Sequence, residues 1–134
     1  MTLVDSNVLL DILTSDPVWL HWSVESLDRR AAKGELFINE VIFAELSVRS
    51  DSQRKLERAL DIFRVKLEHT STEALYLAGK IFGRYRSSGG IRTGVLPDFF
   101  IGAHAQIAHL PILTRDTRRY RSYSPQVELI ASDA

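Results

Sequence analysis

Val95-Leu96-Pro97-Asp98-Phe99-Phe100-Ile101-Gly102-Ala103-His104-Ala105 is the stretch on which the fold turns. Pro97 disfavours helix at Leu96, so a helix is predicted to begin just past that boundary. Asp98 then falls at the N-cap or in the first turn, where a carboxylate accepts orphan backbone N–H groups and favours the local dipole. Ile101, Gly102, Ala103, Ala105 and Ala108 follow, all small or apolar. A helix so poor in polar groups packs on both sides, and Gly102 permits a close approach. Its one acid stands where the buried layer meets solvent. Capping accounts for Asp98 taken alone. What points further is its company: Asp5, Glu45 and Asp116 stand in similar places.

Outward from this helix, short apolar runs alternate with helical stripes, the pattern of a parallel α/β sheet. Thr2-Leu3-Val4 ends at Asp5, which puts Asp5 at the C-terminal end of a first strand, the end where ligands collect in open parallel sheets. Ser6 and Asn7 suit a turn or cap before a helical run over 8–13, which Asp16-Pro17 breaks. An amphipathic helix is predicted over 18–32, with Trp19, Trp22, Leu27 and Ala31 as its apolar members and Gly34 closing it. Leu36-Phe37-Ile38 is a second strand, followed by a helix over 41–48 in which Glu45 sits one turn past Val41 among apolar neighbours. Glu40, at that helix start, is explained by capping. Leu56, Ala59, Leu60 and Phe63 recur at helical spacing within 55–63. Val65-Lys66-Leu67 is a third strand candidate, and Thr70 or Ser71 can cap a helix over 72–84. The central helix is expected over 98–109. Then Leu110-Pro111-Ile112-Leu113-Thr114 leads to Asp116, and 127–130 is a candidate edge strand. The expected fold is a three-layer α/β/α sandwich with a mainly parallel sheet.

At 134 residues the chain fits one domain, 1–134, around one core. Its 17 basic and 17 acidic residues cancel, which excludes a global attraction to nucleic acid but not local positive patches. Cysteine is absent, so disulfide and thiolate chemistry are excluded. No stretch has the pattern of a leader or a membrane span, and the expectation is a soluble cytoplasmic protein with no membrane partner. The loop 85–94, with three glycines and two arginines, reads as a mobile rim that brings cations to a phosphodiester; it holds no GxxxxGK[ST] sequence. His21, His69, His104 and His109 form no metal-ligand pattern, and there is no HExxH.

Strand-then-helix units would bring Asp5, Glu45, Asp98 and Asp116 to one edge of the sheet. Carboxylates gathered there repel unless a cation or protons balance them. Oxygen ligands without cysteine point to Mg²⁺ or Mn²⁺, and because Mg²⁺ keeps several waters, two direct carboxylates suffice. Such an ion polarises a phosphate oxygen and orients a water for attack. Asp98→Asn is expected to relieve like-charge repulsion and to stabilise the metal-free protein.

The acid set resembles that of PIN domains, and the whole chain is similar to a VapC-type toxin ribonuclease of a toxin–antitoxin pair. Leu3-Val4-Asp5-Ser6-Asn7-Val8-Leu9 matches the first motif, which more often has Thr where Ser6 stands. Asn39-Glu40-Val41-Ile42-Phe43-Ala44-Glu45-Leu46 matches the second and selects Glu45 over Glu40. Leu96 to Ala105 matches the third, and Leu113-Thr114-Arg115-Asp116 the fourth. The resemblance implies that Asp5 and Asp98 are the main metal ligands. Glu45 and Asp116 would complete the pocket partly through water, and Ser6, Asn7 and Thr114 would supply supporting hydrogen bonds. It implies an Mg²⁺- or Mn²⁺-dependent endoribonuclease with an RNA substrate, a small antitoxin partner and a homodimeric state. Trp19, Trp22, Leu56, Leu60 and Phe63 exceed what one thin layer needs, which agrees with self-association. Arg84, Arg86, Arg92, Arg115, Arg118 and Arg119 are expected to hold the RNA backbone, with bases splayed onto Tyr85 or Tyr120. The alternatives are a PIN nuclease of RNA processing with no toxin role, and a non-catalytic RNA- or protein-binding domain on the same fold.

Overall fold

Strands of two or three residues suffice here because the central ones are covered on both faces. The structure, a computed structural model, describes residues 1–91 and 95–132. β1(Thr2–Val4) is buried at every position. It is flanked by β2(Leu36–Ile38) and β4(Ile112–Leu113), and β3(Val65–Leu67) and β5(Leu129–Ile130) lie outside them. The order is β3-β2-β1-β4-β5, and every pairing is parallel. Leu3 is opposite Phe37 on one side and Ile112 on the other, which sets the register of the whole sheet. The helices are α1(Ser6–Leu13), α2(Leu20–Lys33), α3(Glu40–Ser47), α4(Gln53–Ile62), α5(Thr72–Ser87) and α6(Leu96–Ala108), with a 3₁₀ turn at Thr117–Arg119. The expected α/β/α sandwich forms, and 127–130 supplies the edge strand. From β1 the chain moves outward to β2, whereas from β4 it moves outward to β5 on the other side. The crevice between β1 and β4, at their C-terminal ends, is therefore the topological switch point of the sheet.

The central helix departs from expectation at its start. α6 begins at Leu96 with Pro97 inside the first turn, where the missing N–H is one that would have no helical partner in any case. Its N-cap is Val95, with no side-chain capping bond, so Asp98 caps nothing. Among the described residues the element that precedes α6 is α5, not a strand, so Asp98 does not come to the site from a strand end. Arg92, the rim residue expected ahead of α6, lies outside the described residues. α5 runs on to Ser87 and is capped by Ser71, while Thr70 bonds elsewhere.

Gly102 does permit a close approach. A Cβ at this position would lie 2.1 Å from Ser124 Oγ and 3.7 Å from the Tyr120 ring. The segment after the 3₁₀ turn thus seats directly on the α6 backbone, with Tyr120 fully buried. At the C-terminal end of β2, Asn39 caps α3 through Oδ1, which accepts from Ile42 N at 3.0 Å. Its Nδ2 is then free to donate to His104 Nδ1 at 3.2 Å, which ties α3 to α6 and requires that ring nitrogen to be unprotonated. Thr70 Oγ1 lies 3.4 Å from the same nitrogen but donates to Glu40 Oε1 at 2.6 Å. Leu56 and Leu60 are buried in the chain's own core, so they add nothing to a surplus of apolar surface; Trp19, Trp22 and Phe63 remain half-buried.

Two outcomes follow from this packing. Gly102→Ala should cost about 1–3 kcal/mol through overpacking, read by urea unfolding, and Ser124→Gly in the same chain should recover much of it; an unchanged midpoint in the single variant would mean that the segment shifts freely. Burial holds the His104 imidazole below its usual 6.5, opposed by the charges of Glu68 and Glu40. A lowered folded pKa means that the unfolded chain takes up this proton first. The stability involved is therefore present above about pH 6.5 and lost as pH falls through the folded value. Melting temperature should fall as pH drops from 7 to 5, and more steeply in the wild type than in His104→Asn; equal slopes would remove His104 from the account.

Candidate active site

The site begins with a cap. Asp5, the residue after β1, is the N-cap of α1 and accepts from Ser6 N at 2.8 Å through Oδ1. Its side chain has no exposed surface. Oδ2 accepts from Thr114 Oγ1 at 2.8 Å, from Tyr120 OH at 2.7 Å and, more weakly, from Asn7 Nδ2 at 3.4 Å. Thr114 follows β4, so this bond spans the switch point. The Thr114 hydroxyl also accepts from Asp116 N at 3.1 Å and Asn7 Nδ2 at 3.2 Å. Ser6 then turns its own hydroxyl to Glu45 Oε1 at 3.0 Å, bringing in α3.

The group at the centre is Arg119. Its Nη1 donates to Asp5 Oδ1 at 2.8 Å, its Nε to Asp98 Oδ1 at 2.6 Å and its Nη2 to Glu45 Oε2 at 3.3 Å. The Arg119 side chain is 18% exposed, Asp98 14% and Glu45 28%. Burial works against the guanidinium charge, but Asp5 and Asp98 more than reverse that and hold Arg119 protonated. Burial raises the Asp98 carboxyl above its usual range, with Asp5 and Asp116 adding to the shift and Arg119 opposing it. Glu45 is raised in the same way, by burial and by Asp5, against Arg119 and Ser6. Burial also pushes the Tyr120 phenol well above its usual value, and Asp5 reinforces this, so the hydroxyl remains a donor.

Asp5, Glu45 and Asp98 therefore meet, as the sequence predicts. Asp116 stands at the rim, its Oδ1 accepting from Arg118 N at 3.1 Å, and lines with Asp98 a cleft of about 420 Å³ walled by Tyr85, Phe99, Arg119 and Tyr123. Glu40 faces away and accepts from Thr70 N at 2.8 Å. Three expectations fail. Arg119 is at the centre of the acids and not on a rim. Arg115 is bound to the buried Asp11, Nε to Oδ2 at 2.9 Å and Nη2 to Oδ1 at 3.1 Å, with its guanidinium over Trp19. Tyr120 is core, with no face for a base. The charge repulsion expected at Asp98 is present, from Asp5 and Asp116, and Arg119 offsets part of it, so Asp98→Asn would remove an ion-pair partner together with a repelling charge.

Sequence reasoning missed the inward roles of Arg119 and Tyr120. The available signal was the short turn after Asp116. At about three residues per 3₁₀ turn, residue 119 returns to the face of residue 116 while 118 points away. Among the described residues, no three His, Cys, Asp or Glu side chains form a ready-made metal cage. The donor chemistry, carboxylate oxygens with neither sulfur nor imidazole, suits a hard divalent cation; the spacing as found suits the guanidinium it encloses.

Fold and site together define a parallel α/β protein with an acidic pocket at its switch point. Residues 2–124 match the PIN domain family profile, and the chain belongs to that family. Among solved structures it is similar to VapBC2 from Rickettsia felis bound to a DNA fragment from their promoter, with a TM-score of 0.72, 20% identity and 98% of each chain covered. It is also similar to a toxin–antitoxin complex from Klebsiella pneumoniae (TM-score 0.69, 20% identity, 95% of each chain). A third is FitAcB from Neisseria gonorrhoeae (TM-score 0.67, 20% identity, 97% of this chain and 96% of that one). No curated protein sequence matches at a significant level.

Tyr120→Phe should cost about 1.5–3 kcal/mol, the scale of a hydrogen bond to a charged group, measured by chemical denaturation. A loss below about 0.5 kcal/mol would mean that another donor replaces the hydroxyl at Asp5.

Proposed function

We propose that the protein is a divalent-metal-dependent endoribonuclease and the toxin of a toxin–antitoxin pair. The observation that carries the reading is the convergence of Asp5, Glu45 and Asp98 on one positive group at the switch point. Membership of the PIN family supports nuclease chemistry, and nucleases of this family generally use divalent metal ions. The solved complexes from Rickettsia felis and Klebsiella pneumoniae, matched over nearly their full length, support a small antitoxin as partner.

Asp5 and Asp98 would hold the ion, Mg²⁺ or Mn²⁺, with Glu45 and Asp116 completing the pocket partly through water. When bound, the ion polarises a phosphate oxygen and lowers the pKa of an attacking water. The chain's own part is positioning. Thr114, Tyr120 and Ser6 fix the Asp5 carboxylate, and Ser6 fixes Glu45 within reach of the same point. Arg118, 95% exposed beside Asp116, is the cation available to an RNA backbone on the cleft wall. Arg84 and Arg86 are exposed on the last turns of α5. Tyr85 and Tyr123, which line the cleft, take the base-stacking role first assigned to Tyr85 and Tyr120. A homodimer and a cytoplasmic setting complete the reading, with Trp19, Trp22 and Phe63 as the apolar groups left for a second copy.

Asp98→Asn and Asp5→Asn should each lower metal-dependent RNA cleavage about a hundredfold or more, whereas Glu40→Gln should stay active. Undiminished cleavage by Asp98→Asn would refute its assignment. Arg118→Ala should weaken RNA binding across sequences and reduce the slope of log K against log salt by about one; an unchanged slope would take Arg118 off the RNA path. Sequencing of RNA ends after brief expression identifies the target.

A further inference from the structure

Three acids of this pocket share one cation, and that cation belongs to the chain. We infer that Arg119 is a built-in competitor for the metal site: its guanidinium pairs with Asp5, Glu45 and Asp98 in the free protein, and a divalent ion enters by displacing it. The inference rests on the reading of Asp5 and Asp98 as the groups that hold the ion.

The argument starts from the lone pairs of Asp5. A carboxylate offers about four acceptor sites. Oδ2 is engaged by Thr114, Tyr120 and Asn7, and Oδ1 by the backbone of Ser6 and by Arg119. Ser6 N is the first amide of α1, Thr114 is buried beside β4, and Tyr120 is locked against α6 by Gly102 and Ser124. None of these can leave without unfolding something. Arg119 reaches Asp5 on a long side chain from a short, half-buried turn, and it lines the cleft into which it could swing. Asp98 meets the same guanidinium through Oδ1, and Glu45 through Oε2. A divalent cation seated on Asp5 and Asp98 would face that positive charge at contact distance. The two cations exclude each other, and the carboxylates, spaced for the larger one, must close on the smaller.

An arginine in this place offsets part of the repulsion among the acids when no metal is bound. It also weakens metal binding by whatever its three pairings contribute. Metal affinity is then set by Arg119 as much as by the ligands.

The test is calorimetric titration of Mn²⁺ into the wild type and Arg119→Gln, with no RNA present. The variant should bind Mn²⁺ about tenfold or more tighter, a coupling of ordinary size for two linked events. Without metal it should melt lower than the wild type, and Mn²⁺ should raise its melting point by the larger amount. Equal affinities in two folded proteins would overturn the inference and leave the metal reading intact. Binding in neither would overturn both. Should Arg119→Gln fail to fold, the wild type decides by NMR. On titration with Mg²⁺, followed at the Ser6 amide, the hydrogen-bonded Arg119 Nε–H signal should move to its solvent position and lose exchange protection. A signal that stays in place while Mg²⁺ saturates overturns the inference.

Discussion

Asp5 puts a carboxylate at the end of the central strand with no exposed surface, and a charge so placed must be balanced by the protein itself. Much of the architecture answers that requirement. The β1–β4 pairing brings Thr114 beside it. The turn after Asp116 returns Arg119 and Tyr120 to it. The bare backbone of Gly102 lets the segment carrying Tyr120 lie close enough on α6 to make that return. Glu45 and Asp98 then share a cation that is already required. The pocket is thus an extension of the solution to one buried charge.

Arginines in this chain divide between two uses that a sequence does not separate. Arg115, Arg118 and Arg119 crowd one short stretch and read as a basic run. Arg115 makes a bidentate pair with Asp11, which also accepts from Ser23 Oγ at 2.8 Å, so the ends of α1 and α2 are fastened together. Arg119 goes to the acids, and only Arg118 points to solvent. Breaking either buried pair by removing one partner leaves a charge uncompensated, which typically costs about 3–5 kcal/mol. Two residues first read as RNA-binding are therefore anchors of the fold's own charge balance.

The carboxylates were legible because each is announced locally. Asp5 closes an apolar run, Glu45 interrupts one, and Asp98 follows a proline at a helix start. The sandwich was legible from the spacing of Leu56, Ala59, Leu60 and Phe63 and from the three-residue strands. The partners of the acids were harder to read, because Arg119 and Tyr120 find Glu45 and Asp5 74–115 positions away, and the local signal, the three-residue period of the turn after Asp116, separates Arg119 from Arg118 only once that turn is known to be 3₁₀. The start of α6 at Leu96 was missed for the opposite reason. A local rule about the residue before proline gave way to packing of α6 along α5.

The sheet order carries a consequence for the time at which the pocket exists. β1 is central, yet one of its two neighbours is β4, at the far end of the chain. A ribosome delivers Asp5 and Glu45 first, Asp98 much later, and Thr114, Arg119 and Tyr120 last. Until those final residues emerge, β1 lacks one edge partner and Asp5 lacks two of the hydroxyls that hold it. Contacts of such sequence separation are slow to close, since loop entropy must be overcome before they form. The unfinished polypeptide thus lacks the groups that complete the pairing of its acids. The centre can be complete only after β4 has docked.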